Sequence, residues 1–162
     1  MKVSYTPIGI IHSPFKELSG MPIQPTSESS THGYIEIYPE FTEGLKDLEG
    51  FSHIYLIYHL HKASQAKLTV TPFLDTATHG VFATRAPSRP NPIGLSLVKL
   101  GHISGNKIYV EQLDILDKTL LLDLKPYIPS FENGENIRTG WIDKNSKKVH
   151  KTKSDQRFLD ES

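Results

Sequence analysis

Ile93-Gly94-Leu95-Ser96-Leu97-Val98-Lys99-Leu100-Gly101-His102-Ile103-Ser104-Gly105-Asn106-Lys107-Ile108-Tyr109-Val110-Glu111-Gln112-Leu113 reads as strand, turn and strand. Residues 93–100 form an alternating run with the period-two pattern of a strand. Gly105-Asn106 is a tight-turn signal. The spacing predicts a strand over 93–103 and a hairpin partner over 108–113.

Extended patterns continue on both sides of this hairpin. Residues 51–61 form a long strand, with Phe51, His53, Tyr55, Ile57, His59 and His61 on one parity and Ser52, Ile54, Leu56, Tyr58 and Leu60 on the other. Both parities are mostly apolar, which predicts a central strand. Further strands are expected over 3–12, 33–38 and 119–124, with short pieces at 67–70 and 73–74 split by Pro72. In the 33–38 strand, Tyr34, Glu36 and Tyr38 share one face and Ile35 and Ile37 the other. Residues 42–49 are the one fair helix candidate, with Leu45 and Leu48 three apart and Gly50 as a stop. Residues 16–30, rich in Pro, Ser, Gly and Thr, read as a long loop. Many short strands with almost no helix predict an all-β fold, a sheet or closed barrel. The economical division is one β-barrel-like domain over 1–141 and a polar, basic C-terminal tail over 142–162.

Composition narrows the function. The 162 residues, 37% hydrophobic and 22% charged, suit one domain with a real core. With no cysteine, disulfides, thiolate metal sites and cysteine nucleophiles are excluded. No run is apolar enough to span a bilayer, and the first residues lack a signal pattern, so no membrane association and a cytoplasmic location are expected. The formal net charge of zero gives no global attraction to a polyanion. No GxGxxG or GxxxxGK[ST] signature follows a strand, and no GxSxG elbow is present. His59 and His61 share a strand face, but no third side chain at ligand spacing joins them, so no metal is expected.

The segment entering the first strand is Gly80-Val-Phe-Ala-Thr-Arg85-Ala-Pro-Ser-Arg89-Pro-Asn91-Pro-Ile-Gly94. Pro87, Pro90 and Pro92 stiffen it. Arg85 and Arg89 carry donor forks suited to a carboxylate, a phosphate or stacking. The plainer alternative is two surface arginines in ordinary salt bridges. Downstream, Asp114 and Asp117 bracket a turn, and Asp123 and Lys125 share a strand face as an ion pair of little consequence.

These two segments resemble the TrmO-like methyltransferase family. The resemblance lies in Gly80-Val81-Phe82-Ala83-Thr84-Arg85, in Arg89-Pro90-Asn91-Pro92-Ile93-Gly94 and in Asp123-Leu124-Lys125-Pro126-Tyr127. Blocks at 8–15 and 48–54 extend it. The chain departs from the family pattern at Ile23, where arginine is usual, and at Lys118 and Leu120, where glycine and proline are usual. The resemblance implies a β-barrel-like homodimer that binds S-adenosyl-L-methionine. It implies methylation of threonylcarbamoyladenosine in tRNA, beside the anticodon, at the exocyclic nitrogen. Its cofactor contacts fall on Pro22, Ile23, Gln24, His61, Lys62, Arg85, Leu95, Asp117, Lys118, Thr119 and Leu120. His61, Asp123 and Tyr127 are the candidates for a catalytic base or polarising donor. Arg89, Asn91 and Lys125 are candidates for holding the anticodon loop; Tyr127 and Trp141 are stacking candidates against core or tail packing, and Phe82, a third, is expected to pack instead. The alternatives are a methyltransferase of another nucleoside or small molecule, and a non-catalytic barrel that binds RNA or a nucleotide.

Overall fold

Alternating side chains have to bury one face, and here the sheet buries it by closing on itself. The computed structural model describes residues 1–19, 21 and 31–144. Its strands are β1 (Gly9–His12), β2 (His32–Ile37), β3 (His53–His59), β4 (Thr69–Val70), β5 (His79–Gly80), β6 (Ile93–Ser104), β7 (Lys107–Glu111) and β8 (Thr119–Pro126). Six of them close a barrel in the order β1-β2-β7-β6-β3-β8, with β8 pairing back to β1. Every pair is antiparallel. β4 and β5 form a separate two-stranded ladder.

The inward parity makes the core. Ile54, Leu56 and Tyr58 of β3 meet Ile35 and Ile37 of β2, Val98 of β6 and Leu121 of β8. Burying each large aliphatic side chain contributes about 1.5–3 kcal/mol. The 33–38 strand has the expected parity, Ile35 and Ile37 inside. β3 is flanked by a strand on each side, as a central strand must be. It lies between β6 and β8, but its outward residues Tyr55, Ile57 and His59 are only half-buried, because a closed barrel has one inside.

The β6–β7 hairpin turns where expected, with Gly105 at φ 60. Asn106 fastens it to β2: its Nδ2 donates to Ile37 O at 2.8 Å, and Ile37 N donates to Asn106 O at 2.9 Å. The expected helix over 42–49 is replaced by two 3-10 segments, Pro39–Leu45 and Leu48–Gly50. Asp47 between them takes a left-handed φ of 67, which stops a helix from continuing. The three-residue spacing of Leu45 and Leu48 suits 3-10 turns equally well, and both pack on the core. The expected first strand is shorter, because Val3 and Tyr5 are exposed and barrel bonding begins at Ile8 N with Leu121 O. Phe73-Leu74 is a turn. One four-residue α-helix, Pro129–Glu132, follows β8. The tail beyond residue 144 lies outside the described residues.

Candidate ligand pocket

One end of the barrel opens into a pocket of about 770 Å³. That is the size of pocket that takes a nucleoside-sized ligand. Its walls are the end of β3 with residues 59–63, the start of β6, the 82–89 loop and the 114–119 turn. Trp141 and Ile142 cover one side, so a residue assigned to the tail contributes to the wall.

The arginine-rich loop is built around Arg89. Its Nη1 donates to Thr84 O at 2.8 Å, Val81 O at 3.0 Å and Ala86 O at 3.3 Å. Thr84 Oγ1 adds a bond to Val81 O and accepts from Ala86 N. Arg89 Cζ sits 5.9 Å from the Phe82 ring centre. Arg89 therefore lines the pocket with its Nη1 committed to the loop's own carbonyls. Arg85 also lines the pocket and is exposed, and its charge acts on Asp114 and Tyr58. Trp141 is latched to this loop: Nε1 donates to Ala83 O at 2.8 Å, and the ring stacks on His79 at 4.5 Å. His79 Nε2 in turn contacts Asp75 Oδ2 at 2.9 Å.

The 114–119 turn is tied to β1 and the segment after it. Ser13 N donates to Asp117 Oδ1 at 3.0 Å, Ser13 Oγ to Ile115 O at 2.6 Å, and Asp117 N to Phe15 O at 2.8 Å. Lys16 Nζ lies 2.5 Å from Asp117 Oδ2. Burial pushes the Asp117 carboxyl up, but the Lys16 and Ser13 hydrogen bonds outweigh it and hold it below the usual carboxylate range. Lys118 has φ 62, the left-handed region that glycine adopts without strain. The turn thus keeps the backbone a glycine would give.

His61 faces the pocket from beyond β3. Thr119 Oγ1 donates its proton to Leu116 O at 2.6 Å, so toward His61 Nδ1, 3.4 Å away, it is an acceptor. This places the neutral ring's proton on Nδ1 and leaves Nε2 as the acceptor. Partial burial, then Lys62 and His59, lower the His61 pKa and keep the ring neutral near pH 7.

Of the implied cofactor contacts, His61, Lys62, Arg85, Leu95 and Thr119 line the pocket. Asp117, Lys118 and Leu120 belong to the turn and its strand without lining it. Pro22, Ile23 and Gln24 lie outside the described residues. Asp123 and Tyr127 do not line the pocket: Asp123 pairs with Lys125 at 2.9 Å, and Tyr127 packs edge-on against Tyr55 and His53. Asn91 and Lys125 are exposed and away from the lining. Nothing in the sequence joins Asp114, Ser96 and Tyr58 into the group that they form here. Ser96 Oγ donates to Asp114 Oδ1 at 2.7 Å and lies 2.9 Å from Tyr58 Oη. Burial pushes the Asp114 carboxyl up to about 6, against the Ser96 bond and the Arg85 charge. Burial also pushes the Tyr58 phenol up. Among the described residues no group of three His, Asp or Glu side chains is placed to hold a metal, and no helix is long and apolar enough to cross a membrane.

A closed antiparallel barrel whose end carries an apolar pocket, rimmed by arginine, lysine and histidine, defines a small-ligand-binding barrel. The chain belongs to the tRNA-methyltransferase O family, matching the description of that enzyme's N-terminal domain over residues 10–133. It is 53% identical over 159 residues to a Pyrococcus abyssi protein named as a probable S-adenosyl-L-methionine-binding protein, covering 98% of this chain and 86% of that one. It is 36% identical over 138 residues to a mouse protein named tRNA (adenine(37)-N6)-methyltransferase, covering 81% of this chain and 32% of that one. The crystal structure of TrmO from Pseudomonas aeruginosa superposes with a TM-score of 0.73 at 37% identity, covering 87% of this chain. The chain spans 63% of that solved chain.

Proposed function

We propose that this chain is an S-adenosylmethionine-dependent tRNA methyltransferase that methylates the exocyclic nitrogen of threonylcarbamoyladenosine beside the anticodon. The reaction class follows the family, and the cofactor follows the names of its relatives. The observation that carries the reading is the convergence of His61, Lys62, Arg85, Leu95 and Thr119 on one pocket from separate stretches of chain.

The residues fit the cofactor. Its carboxylate suits Arg85 or Lys62, its adenosyl body suits the apolar walls, and the volume is sufficient. When bound, the cofactor supplies an electrophilic methyl group whose former bonding pair leaves with sulfur. The chain's own part is to align the two reactants, exclude water and accept the proton released by the nucleophile. Of His61, Asp123 and Tyr127, His61 alone lines the pocket, with Nε2 as an acceptor.

A second copy of the chain is the proposed partner besides tRNA. Ile93 and Leu95, which also line the pocket, continue with Leu97 as an apolar line on the outward face of β6, Ile93 39% and Leu95 47% exposed, so a second copy seated there borders the pocket. Such a line suits self-association. A tRNA substrate supports a cytoplasmic location. The zero net charge favours a second reading, methylation of another nucleoside or a small molecule.

The test is calorimetric titration with S-adenosylmethionine, followed by methylation of tRNA with and without threonylcarbamoyladenosine. Saturable binding near one site per chain, weakened at least about tenfold in Arg85→Ala, is expected. No binding by the folded protein refutes the methyltransferase reading. Binding without tRNA methylation refutes the tRNA substrate.

A further inference from the structure

Asp114 is the one acidic side chain among the described residues that line the pocket. Its Oδ1 accepts from Ser96 Oγ. Ser96 has a single hydroxyl proton, and the carboxylate takes it, so Ser96 accepts from Tyr58. The direction is therefore fixed as Tyr58 to Ser96 to Asp114. Ser96 and Tyr58 are buried, at 2% and 8% exposure, and hold the carboxylate from behind. The carboxyl also takes a hydrogen bond from its own backbone N–H. A carboxylate set in a mostly apolar wall costs stability, because burial penalises its charge. The charged and titratable groups around it are Arg85, Arg89, Lys62, His59, His61 and the Tyr58 phenol.

We propose that Asp114 is the catalytic proton acceptor of the pocket, with Ser96 and Tyr58 as its positioning residues; this deepens the methyltransferase reading and rests on it. The nucleophile in that reading is a nitrogen flanked by a purine ring and a carbonyl, poor while it keeps its hydrogen. The N–H bond breaks and the proton ends on the Asp114 carboxylate. The electron pair stays on nitrogen and forms the bond to the transferred methyl carbon, while that carbon's former bonding pair leaves with sulfur. Positive charge grows on nitrogen as transfer proceeds, so a carboxylate there gains attraction in the transition state. A carboxylate that merely held the cofactor's cationic sulfur would lose attraction as that charge disappears, which slows the chemistry. Burial supports the role, because it brings the acceptor's affinity for a proton close to the neutral range.

The test uses the full chain and has three readouts: S-adenosylmethionine affinity by calorimetry, single-turnover methylation of modified tRNA against pH, and the ¹³C titration of the Asp114 carboxyl in the free protein. In Asp114→Asn the affinity stays within about threefold while the rate falls about 10²–10⁴-fold. The wild-type acid limb, with a midpoint near 6, disappears in this variant and persists in His61→Gln. The carboxyl titrates with that same midpoint. In Ser96→Ala the limb moves to higher pH, because the carboxylate has lost a donor. Should Asp114→Asn not fold, Ser96→Ala and the carboxyl titration decide. An Asp114→Asn rate within about fivefold of wild type overturns the proposal. So does a lost affinity with an unchanged saturating rate, a carboxyl that titrates near its ordinary value, or a limb that does not move in Ser96→Ala. A wild-type chain that neither binds the cofactor nor methylates overturns the methyltransferase reading and this proposal with it. An active wild type with an active Asp114→Asn overturns the proposal alone.

Discussion

Gly94→Ala tests the packing on which the pocket floor depends. Gly94 and Tyr58 sit directly opposite each other in the β3–β6 register. A Cβ on residue 94 meets the Tyr58 ring at 2.2, 2.4 and 2.8 Å from three of its carbons. Carbon pairs settle at about 3.5–4.0 Å, so the ring has to retreat by more than about 1 Å. It has little room, because Tyr58 is core and its hydroxyl is bonded to Ser96. Overpacking costs about 1–3 kcal/mol, and the broken buried hydrogen bond about 1 kcal/mol more. The expected loss is about 2–4 kcal/mol, which lowers the urea midpoint by roughly 1–2 M for a slope of about 2 kcal/mol/M. Equilibrium urea unfolding of Gly94→Ala reads it directly. In a Tyr58→Ala background the same substitution has nothing to strike, and its cost falls below about 0.5 kcal/mol. A single-variant loss under about 0.5 kcal/mol, or an equal loss in both backgrounds, refutes the reasoning.

Arg89→Ala removes the donor that gathers three carbonyls of the 81–86 loop, and a loss of about 1–3 kcal/mol is expected. Hydrogen exchange should accelerate in residues 81–89 and not in β1, β2 or β7; uniform acceleration counts against a local clamp. Asp114→Asn should stabilise the protein at pH 8 and not at pH 4. The folded pKa of Asp114, about 6, is raised above its ordinary value of 3.8, so its favourable contribution is complete below 3.8 and is lost as pH rises through 6. The gain at pH 8 is at most about 3 kcal/mol, and thermal unfolding at the two pH values measures it. No pH dependence in the difference refutes the burial assignment.

Much of the barrel was legible because its strands carry local signals. The 93–113 hairpin announces itself through alternation and Gly105-Asn106, and Ile35 and Ile37 point inward as their parity requires. The 42–49 segment was misread because a spacing of three serves a 3-10 turn as well as one face of an α-helix, and only Asp47's left-handed backbone decides between them. Residues 3–8 have strand-forming composition, but strand pairing begins with Gly9. The pocket was partly legible. Arg85 and the 114–119 turn stand out by residue type, and Lys118 hides a left-handed position that glycine would have advertised. Asp114 could not be recognised as one of a group, because Ser96 and Tyr58 come from β6 and β3 and only the folded chain brings the 114–119 turn against them. Arg89 lines the pocket, and nothing in its sequence neighbourhood reveals that three carbonyls also turn toward its Nη1.

The closure of the barrel between β1 and β8 sets an order of assembly. Ser13 and Asp117, 104 residues apart, are bonded across that seam. The first strand to be synthesised has to wait for the last before both its sides are paired. Pairing across so long a segment carries a loop-closure cost before any contact rewards it, and such topologies fold slowly. The 114–119 turn borders the seam, so the pocket exists only once the final pairing has formed. A ligand that binds there holds the completed ring shut, and its presence should be felt most in the rate at which the β1–β8 seam reopens.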